Sequence, residues 1–562
     1  METTAATQQK YSWQKHYPQG VSYEVNPDRY TSLAELMEEG FRKFGEWPAY
    51  ANMGKSITFK QLDELTRQFA SYLQNDLKLQ KGDRIAIQMP NLLQYPIALF
   101  GALRAGLIVV NTNPLYTPRE MEHQFKDSGV KAIVIVANFA FNLEKVIAHT
   151  DIKHVIVTEI GDMMSFPKKL LVNAVVKYVK KMVPAYRLPQ AVSFTEALQR
   201  GSRSTLQSVP LSGKDLAFIQ YTGGTTGVSK GAMLTHRNII ANLEMNYEWM
   251  KPKLGAGNRD IIITALPLYH VFSLTVNALT ALKTGWLNVL ITNPRDMKGF
   301  IKEAKAYPFT IITGLNTLFN GMLNHPDFGQ LDIKQLRITV AGGMALQTAV
   351  AEKWLQRTGC VPAEGYGLSE TSPVLCCNPI DGSARIGTIG LPFPSTEVKA
   401  VKEDGTDALP GESGELWARG PQVFPGYWNR PEETENVFAG DWFKTGDIGL
   451  MDEEGFFKIV DRKKDMIVVS GMKVFPNEVE EVLANCPGVL ESACVGVPDE
   501  KSTEAVKLFV VRKDPNLTED AIRAFCRENL TNYKRPKYIE FRTELPKSNV
   551  GKIIRRLLKE NA

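Results

Sequence analysis

A chain of 562 residues has room for three or four domains at about 150 residues each, or for one large body with an appendage. Hydrophobic residues are 44% and charged residues 23% of the total, which excludes a disordered, collagen-like or coiled-coil chain. Lys plus Arg number 66 and Asp plus Glu 61, and the resulting net charge of +5 lacks the basic bias of a dedicated nucleic-acid binder, so no nucleic-acid partner is expected.

From the N-terminus, the first ten residues carry no charged-then-apolar leader. Residues 84–88 read as a strand, 92–103 as a helix and 107–110 as the next strand. The apolar stretch 92–110 contains Gln94, Pro96 and Arg104, so it lacks the uninterrupted run of ~20 apolar residues that crosses a bilayer. Strands at 131–136 and 154–157 follow, with a helix at 142–149 between them, and strands at 216–221, 261–264, 286–290 and 309–312 continue the series. This βαβ rhythm predicts parallel sheets covered by helices. Near residue 385 the rhythm changes to short, turn-separated strands at 412–419, 442–443 and 456–460, the pattern of a small β-rich subdomain over about 385–460. A charged knot follows at 461–465, and then a compact α+β pattern with strands at 466–469, 493–497 and 505–511 and helices at 476–484 and 519–529. The expected fold is therefore α/β: a large N-terminal domain of parallel-type sheets with flanking helices plus the β-rich subdomain, then a small α+β domain.

The six cysteines show no CxxC pairing and read as reduced thiols in a cytosolic compartment. The seven histidines form no HExxH pair, which argues against a His-built metal site.

Four segments carry chemistry. Tyr221, Thr222, Gly223, Gly224, Thr225, Thr226, Gly227, Val228, Ser229, Lys230, Gly231 and Ala232 leave a strand as a Gly/Thr-rich loop. Glycine lets backbone N–H groups close on an anion, threonine adds hydroxyl donors and Lys230 a point charge, so the segment suits a polyphosphate. It departs from a Walker A loop, because Ser229 stands where that pattern needs Gly before the Lys. In the second, Glu364, Gly365, Tyr366, Gly367, Ser369 and Glu370 place an aromatic between glycines with carboxylates close by. By residue type this is either a purine-stacking, Mg²⁺-holding turn or a turn with a structural Tyr and a solvated Glu. In the third, Asp447 follows a Gly at a strand end, placed to accept from ribose hydroxyls, and Arg462 in the charged knot offers a planar fork. Taken alone, the charge cluster is better read as a solvated linker. In the fourth, residues 546–552 form a turn that presents Lys552 near the C-terminus, by itself an ordinary surface lysine.

Taken in this order, over about residues 30–560, the four segments resemble the adenylate-forming superfamily of acyl-CoA synthetases, peptide-synthetase adenylation domains and luciferases. The tract 441–471, with Pro476 after it, is similar to the signature of the bacterial long-chain fatty-acid–CoA ligase branch. The resemblance implies a two-step ligase: ATP and a fatty acid give an acyl-adenylate and diphosphate, and the CoA thiol then displaces AMP. It implies that residues 222–230 grip the diphosphate end of ATP and that Thr222 and Glu370 sit at Mg²⁺. Glu364, Gly365, Tyr366, Gly367 and Ser369 would lie around adenine and the α-phosphate, with Gly342 and Gly343 as a second glycine turn. Asp447 would hold the ribose, Arg462 the ribose or phosphate, and Lys552 would bridge the carboxylate and α-phosphate oxygens. His270 and Val271 would lie where acyl tunnel meets nucleotide. On residues alone His270 reads equally as a core histidine. Lys464 would be the hinge between a large domain, 1–463, and a mobile small domain, 464–562. Gly471, Met472 and Lys473 would line the CoA channel after the small domain rotates. A medium-chain or aryl-CoA ligase, or an acyl-AMP ligase serving a carrier protein, shares these motifs, although the insertion near the hinge often seen in the last is absent from 461–471.

One segment lies outside those motifs. Residues 168–183 hold five lysines among apolar residues and no acid, the pattern of a helix lying in a membrane surface or of an amphipathic helix packed on its own domain. The expected setting is the cytoplasm, with weak peripheral association at the inner membrane, and a homodimer is compatible with the sequence.

Overall fold

The computed structural model describes residues 11–222, 229–254, 259–499, 502–548 and 551–560. Two large sheets form the body. The first has seven strands in the order Ala191–Ser193, His154–Thr158, Val130–Val136, Arg84–Gln88, Ile108–Asn111, Leu216–Thr222 and Lys230–Thr235. All pairs are parallel except the last, in which Thr222 faces Lys230 across an antiparallel register. The second has nine strands, with parallel pairing from Pro362–Gly367 through Ile338–Gly342, Ile311–Gly314, Ile261–Thr264 and Leu287–Leu290 to Pro48–Asn52, and antiparallel strands at both edges.

Local chemistry sets the helices. Phe59–Asn75 starts on a capping box between Thr58 and Gln61 and buries Leu62, Thr66, Phe69 and Leu73 on one face. Pro118–Ser128 starts on Thr117 and Glu120 and ends on Gly129 in the left-handed conformation. One apolar core joins the two sheets, with Ile85 and Val109 from the first, Tyr50 and Leu290 from the second, and Leu99 and Leu243 from helices. Buried polar groups tie the seam: Tyr95 Oη lies 2.6 Å from Asn111 Oδ1 and 2.9 Å from the Leu268 carbonyl oxygen, sharing its one proton between them.

A third, antiparallel sheet holds Glu397–Val401, Ser413–Arg419, Trp442–Met451, Phe438–Ala439 and Phe457–Arg462. It begins later than residue 385, because Leu391–Pro392 is the edge of the nine-stranded sheet. The expected strand 442–443 runs on for ten residues, with Gly446, at a positive φ of 74°, in the stretch where the register against Ser413–Arg419 shifts. The fourth sheet, also of five strands, pairs Val489–Asp499 with Thr503–Arg512 and carries helices Pro476–Ala484 and Glu519–Asn529 over its own core of Ile467, Val479, Leu508 and Ile522. Among the described residues no helix is long and apolar enough to cross a membrane. All six cysteines are free and buried.

Candidate active site

In open α/β sheets ligands bind outside the carboxyl ends of the parallel strands, and that is where the residues singled out in the sequence fall. Thr222 closes one strand, Gly342 a second and Gly365 to Gly367 a third. Gly342 pairs in register with Gly365, and a Cβ on Gly342 would lie 3.1 Å from the Gly365 carbonyl oxygen and 3.1 Å from the Phe272 ring. Gly343 turns away at a φ of +81°, where a side chain is strained.

Glu370 sits in the short turn Ser369–Thr371. Its carboxylate accepts from Tyr427 Oη at 2.8 Å and pairs with no cation among the described residues. Burial raises its pKa, and the Tyr427 hydroxyl opposes that rise. Tyr427 also lies under Lys230, whose Nζ stands 5.3 Å from the ring centre, so one aromatic joins the glycine-rich hairpin to Glu370. The root of that hairpin is pinned by Asp127, which accepts from Tyr221 Oη at 2.6 Å and pairs with Arg430 at 3.1 Å. The Gly231 carbonyl accepts from Trp428 N–H, Ala232 bridges to Tyr427, and His123 Nε2 lies 2.9 Å from the Ser229 carbonyl oxygen. Gly223, Gly224, Thr225, Thr226, Gly227 and Val228 lie outside the described residues.

Opposite, Tyr366 Oη donates to Asp447 at 2.7 Å, and Arg462 Nε stands 3.4 Å from the other Asp447 oxygen. Asp447 and Arg462 are register partners on neighbouring strands, which fixes their spacing through the backbone. Glu364 accepts from Leu346 N–H at 3.0 Å, and burial pushes its pKa up to about 8, so this acid is largely protonated at neutral pH.

Lys552 comes to these groups from the small domain. Its pKa falls to about 7, first through burial and then through Arg462, with Asp447 pulling the other way. His270 feels Lys552 in turn: burial first and that positive charge second bring the imidazole down to about 4, which leaves it neutral. His270 Nδ1 accepts from Phe272 N–H at 3.3 Å, which puts the ring proton on Nε2. Val271 is buried beside it. Lys464 is also lowered, by burial and then by Arg462.

Thus Lys230, His270, Tyr366, Glu370, Asp447, Arg462 and Lys552 come together through these contacts and charges, with Thr222 facing Lys230 and Glu364 two residues before Tyr366 on one strand. Gly471, Met472 and Lys473 do not: all three are exposed, and Lys473 pairs with Glu403 at 2.7 Å on the β-rich subdomain. Sequence reading missed Tyr427 and Asp127, whose partners lie 57 and 94 residues away in the chain; no local pattern marks such pairs.

Glu370 and the Thr222 hydroxyl are the protein oxygens expected at a cation, and among the described residues no group of three or more His, Cys, Asp or Glu could hold a metal. One carboxylate and one hydroxyl suit Mg²⁺ that takes its remaining ligands from water and substrate phosphates.

Two family models match the chain: AMP-binding enzyme over residues 37–428 and AMP-binding enzyme C-terminal domain over residues 478–552. The chain belongs to the AMP-binding enzyme family. It is 56% identical over 553 residues to a long-chain-fatty-acid–CoA ligase of Escherichia coli, covering 98% of each chain. It is 54% identical over 550 residues to the Haemophilus influenzae protein of the same name, again covering 98% of each. Among solved structures, a benzoate CoA ligase from Burkholderia xenovorans superposes with a TM-score of 0.80 at 26% identity, covering 94% of this chain and 100% of that one.

Proposed function

We propose that the protein is an ATP-dependent, AMP-forming long-chain fatty acid–CoA ligase. The observation that carries this is the 54–56% identity over 98% of the chain to long-chain-fatty-acid–CoA ligases, and the charges of Lys552, Arg462 and Asp447 acting on one another, with His270 feeling Lys552, support it. A fatty carboxylate and ATP are both anions, so joining them requires positive charge at the point of contact. Lys552 and Arg462 supply it, Tyr366 and Asp447 orient the ribose, and the neutral His270 adds a donor without adding repulsion. The carboxylate oxygen attacks the α-phosphorus and diphosphate leaves. The CoA thiol then attacks the acyl carbonyl and AMP leaves. Mg²⁺, held by Glu370 and Thr222 when bound, would neutralise charge on the phosphates. In the arrangement described, Gly471 to Lys473 face solvent, so the second step calls for the small domain, 464–562, to turn about Lys464. Purified protein given palmitate, ATP and Mg²⁺ should release AMP and diphosphate in a CoA-dependent steady state; release of orthophosphate instead would overturn the reading. A panel of short to long acids and of aryl acids would separate the related ligases.

The setting we propose is the cytosolic face of a membrane. The helical segment Lys168–Ala174 and its continuation Val175–Val179 bury no residue. Phe166 is 81%, Tyr178 70% and Val179 73% exposed, with Leu170, Leu171 and Met182 exposed beside them. Lys168 donates to the Met53 carbonyl and Lys169 pairs with Asp162, which leaves Lys177, Lys180 and Lys181 for anionic headgroups. Vesicles containing phosphatidylglycerol should float the wild type and not a Lys177→Glu, Lys180→Glu, Lys181→Glu variant. Equal flotation would remove the membrane reading.

A further inference from the structure

The strand Phe457–Arg462 ends the β-rich sheet just before the proposed hinge, and helix Pro476–Ala484 opens just beyond it. Asp461 bridges the two. Its side chain is fully buried, at 0% exposure. One carboxylate oxygen accepts from Arg462 N–H at 2.7 Å, and the other accepts from Asn477 N–H at 2.9 Å, at the start of the helix. The Asn477 side chain continues the path, since its Oδ1 accepts from Arg555 at 2.6 Å. Arg555 also grips Glu480 at 2.7 Å and stands 3.6 Å from Asp465. Arg555 is three residues beyond Lys552 in the chain, so its hold on Asn477 and Glu480 fixes the segment from which Lys552 projects.

We propose that Asp461 is a positioning residue that clamps the small domain in the arrangement presenting Lys552 to the site, through the Asn477 N–H, and that rotation about Lys464 must break this clamp. This rests on the ligase reading above. Arg555, Asn477 and Glu480 lie on one side of the hinge and travel together, whereas Asp461 and Asn477 lie on opposite sides. Their bond is therefore one that a turn at Lys464 separates. Other contacts also cross the domains: Thr317 donates to the Gly551 carbonyl at 3.2 Å, Asn320 to the Leu490 carbonyl at 3.2 Å, Glu481 accepts from Thr348 N–H at 3.0 Å, and Lys513 donates to Asn324 at 2.9 Å. Asp461 is the fully buried carboxylate among them. Burial moves its pKa up to about 6, with Arg555 as the opposing cation and Glu480 as a second acid, and it still ionises at neutral pH, where it accepts both N–H groups.

The test separates the half-reactions. In an Asp461→Ala variant, palmitate-dependent exchange of diphosphate into ATP should fall about tenfold, the factor that follows from losing a buried, charge-assisted hydrogen bond. CoA thioester formation from supplied palmitoyl-adenylate should stay within about twofold of wild type or rise. A structural readout runs beside it. With cysteines at Asn324→Cys and Lys513→Cys, a short bis-maleimide should link the two domains of the parent chain and link them several-fold more slowly once Asp461→Ala is added. Asp461→Asn, which retains one acceptor and the side-chain volume, should fall between. Equal losses in both half-reactions, or crosslinking unchanged by Asp461→Ala, would overturn the clamp. Failure of exchange in the wild type would instead overturn the ligase reading, and the crosslinking result would still judge the clamp.

Discussion

Replacing Lys552 with alanine should lower the adenylation half-reaction by about 10²–10³-fold, the usual cost of removing one preorganised charge from a transition state. Conversion of supplied acyl-adenylate to thioester should hold near wild type. The pH dependence carries the sharper signature. Lys552 is lowered to about 7, so above that pH the amine of the ligand-free protein is mostly neutral. A bound polyanion favours the ammonium and raises that pKa. Binding of ATP near pH 8 should therefore take up about one proton in the wild type, and ATP affinity should weaken as pH rises above 7. Calorimetry in buffers of different ionisation heat measures the uptake. The Lys552→Ala protein should show less of it, and identical uptake in both proteins would place the titrating group elsewhere.

A single methyl at Gly367 should be equally damaging by another route. A Cβ there would lie 1.9 Å from the Pro373 carbonyl oxygen, 2.7 Å from its carbon and 2.9 Å from the Val374 Cα. All three are backbone atoms, so no rotamer change relieves the clash. The strand must move, and it carries Tyr366, which holds Asp447, and leads into the turn that carries Glu370. Gly367→Ala should cost about 3 kcal/mol in denaturant unfolding and weaken ATP binding more than tenfold. Gly329→Ala, where a Cβ meets open space, should stay within about 0.5 kcal/mol of wild type. Similar losses for both would mean that the close approach at Gly367 is not the cause.

These cases show which features a one-dimensional reading reaches. The Gly/Thr run after Tyr221 and the Tyr366 and Glu370 cluster stand out in the chain because they gather, in a short span, the residue types that suit phosphate and purine. The alternation of strands and helices is legible because the parallel strands, such as Val130–Val136, are buried on both faces and read as continuous apolar runs. Asp461 is a different case. In the chain it is one charge in a knot of five and suggests solvent; in the fold it is fully buried and spans the hinge. Tyr427 lies in a Gly- and Pro-rich stretch with no sign that it meets Glu370. The hairpin Val489–Asp499 and Thr503–Arg512 extends well beyond its apolar centre, because cross-strand pairing recruits polar residues such as Glu491 and Lys507.

The placement of strand Pro48–Asn52 has a consequence for biosynthesis. It lies between its hairpin mate and Leu287–Leu290, and Asn52 bonds the Leu290 carbonyl across 238 residues of chain. At typical translation speeds the ribosome needs about 10–50 s to deliver that partner. Until then one edge of an apolar strand has no neighbour. The nascent N-terminal segment is thus a natural client for holding chaperones, and slowing elongation within the first half of the message should lower the yield of folded enzyme more than slowing it near the end.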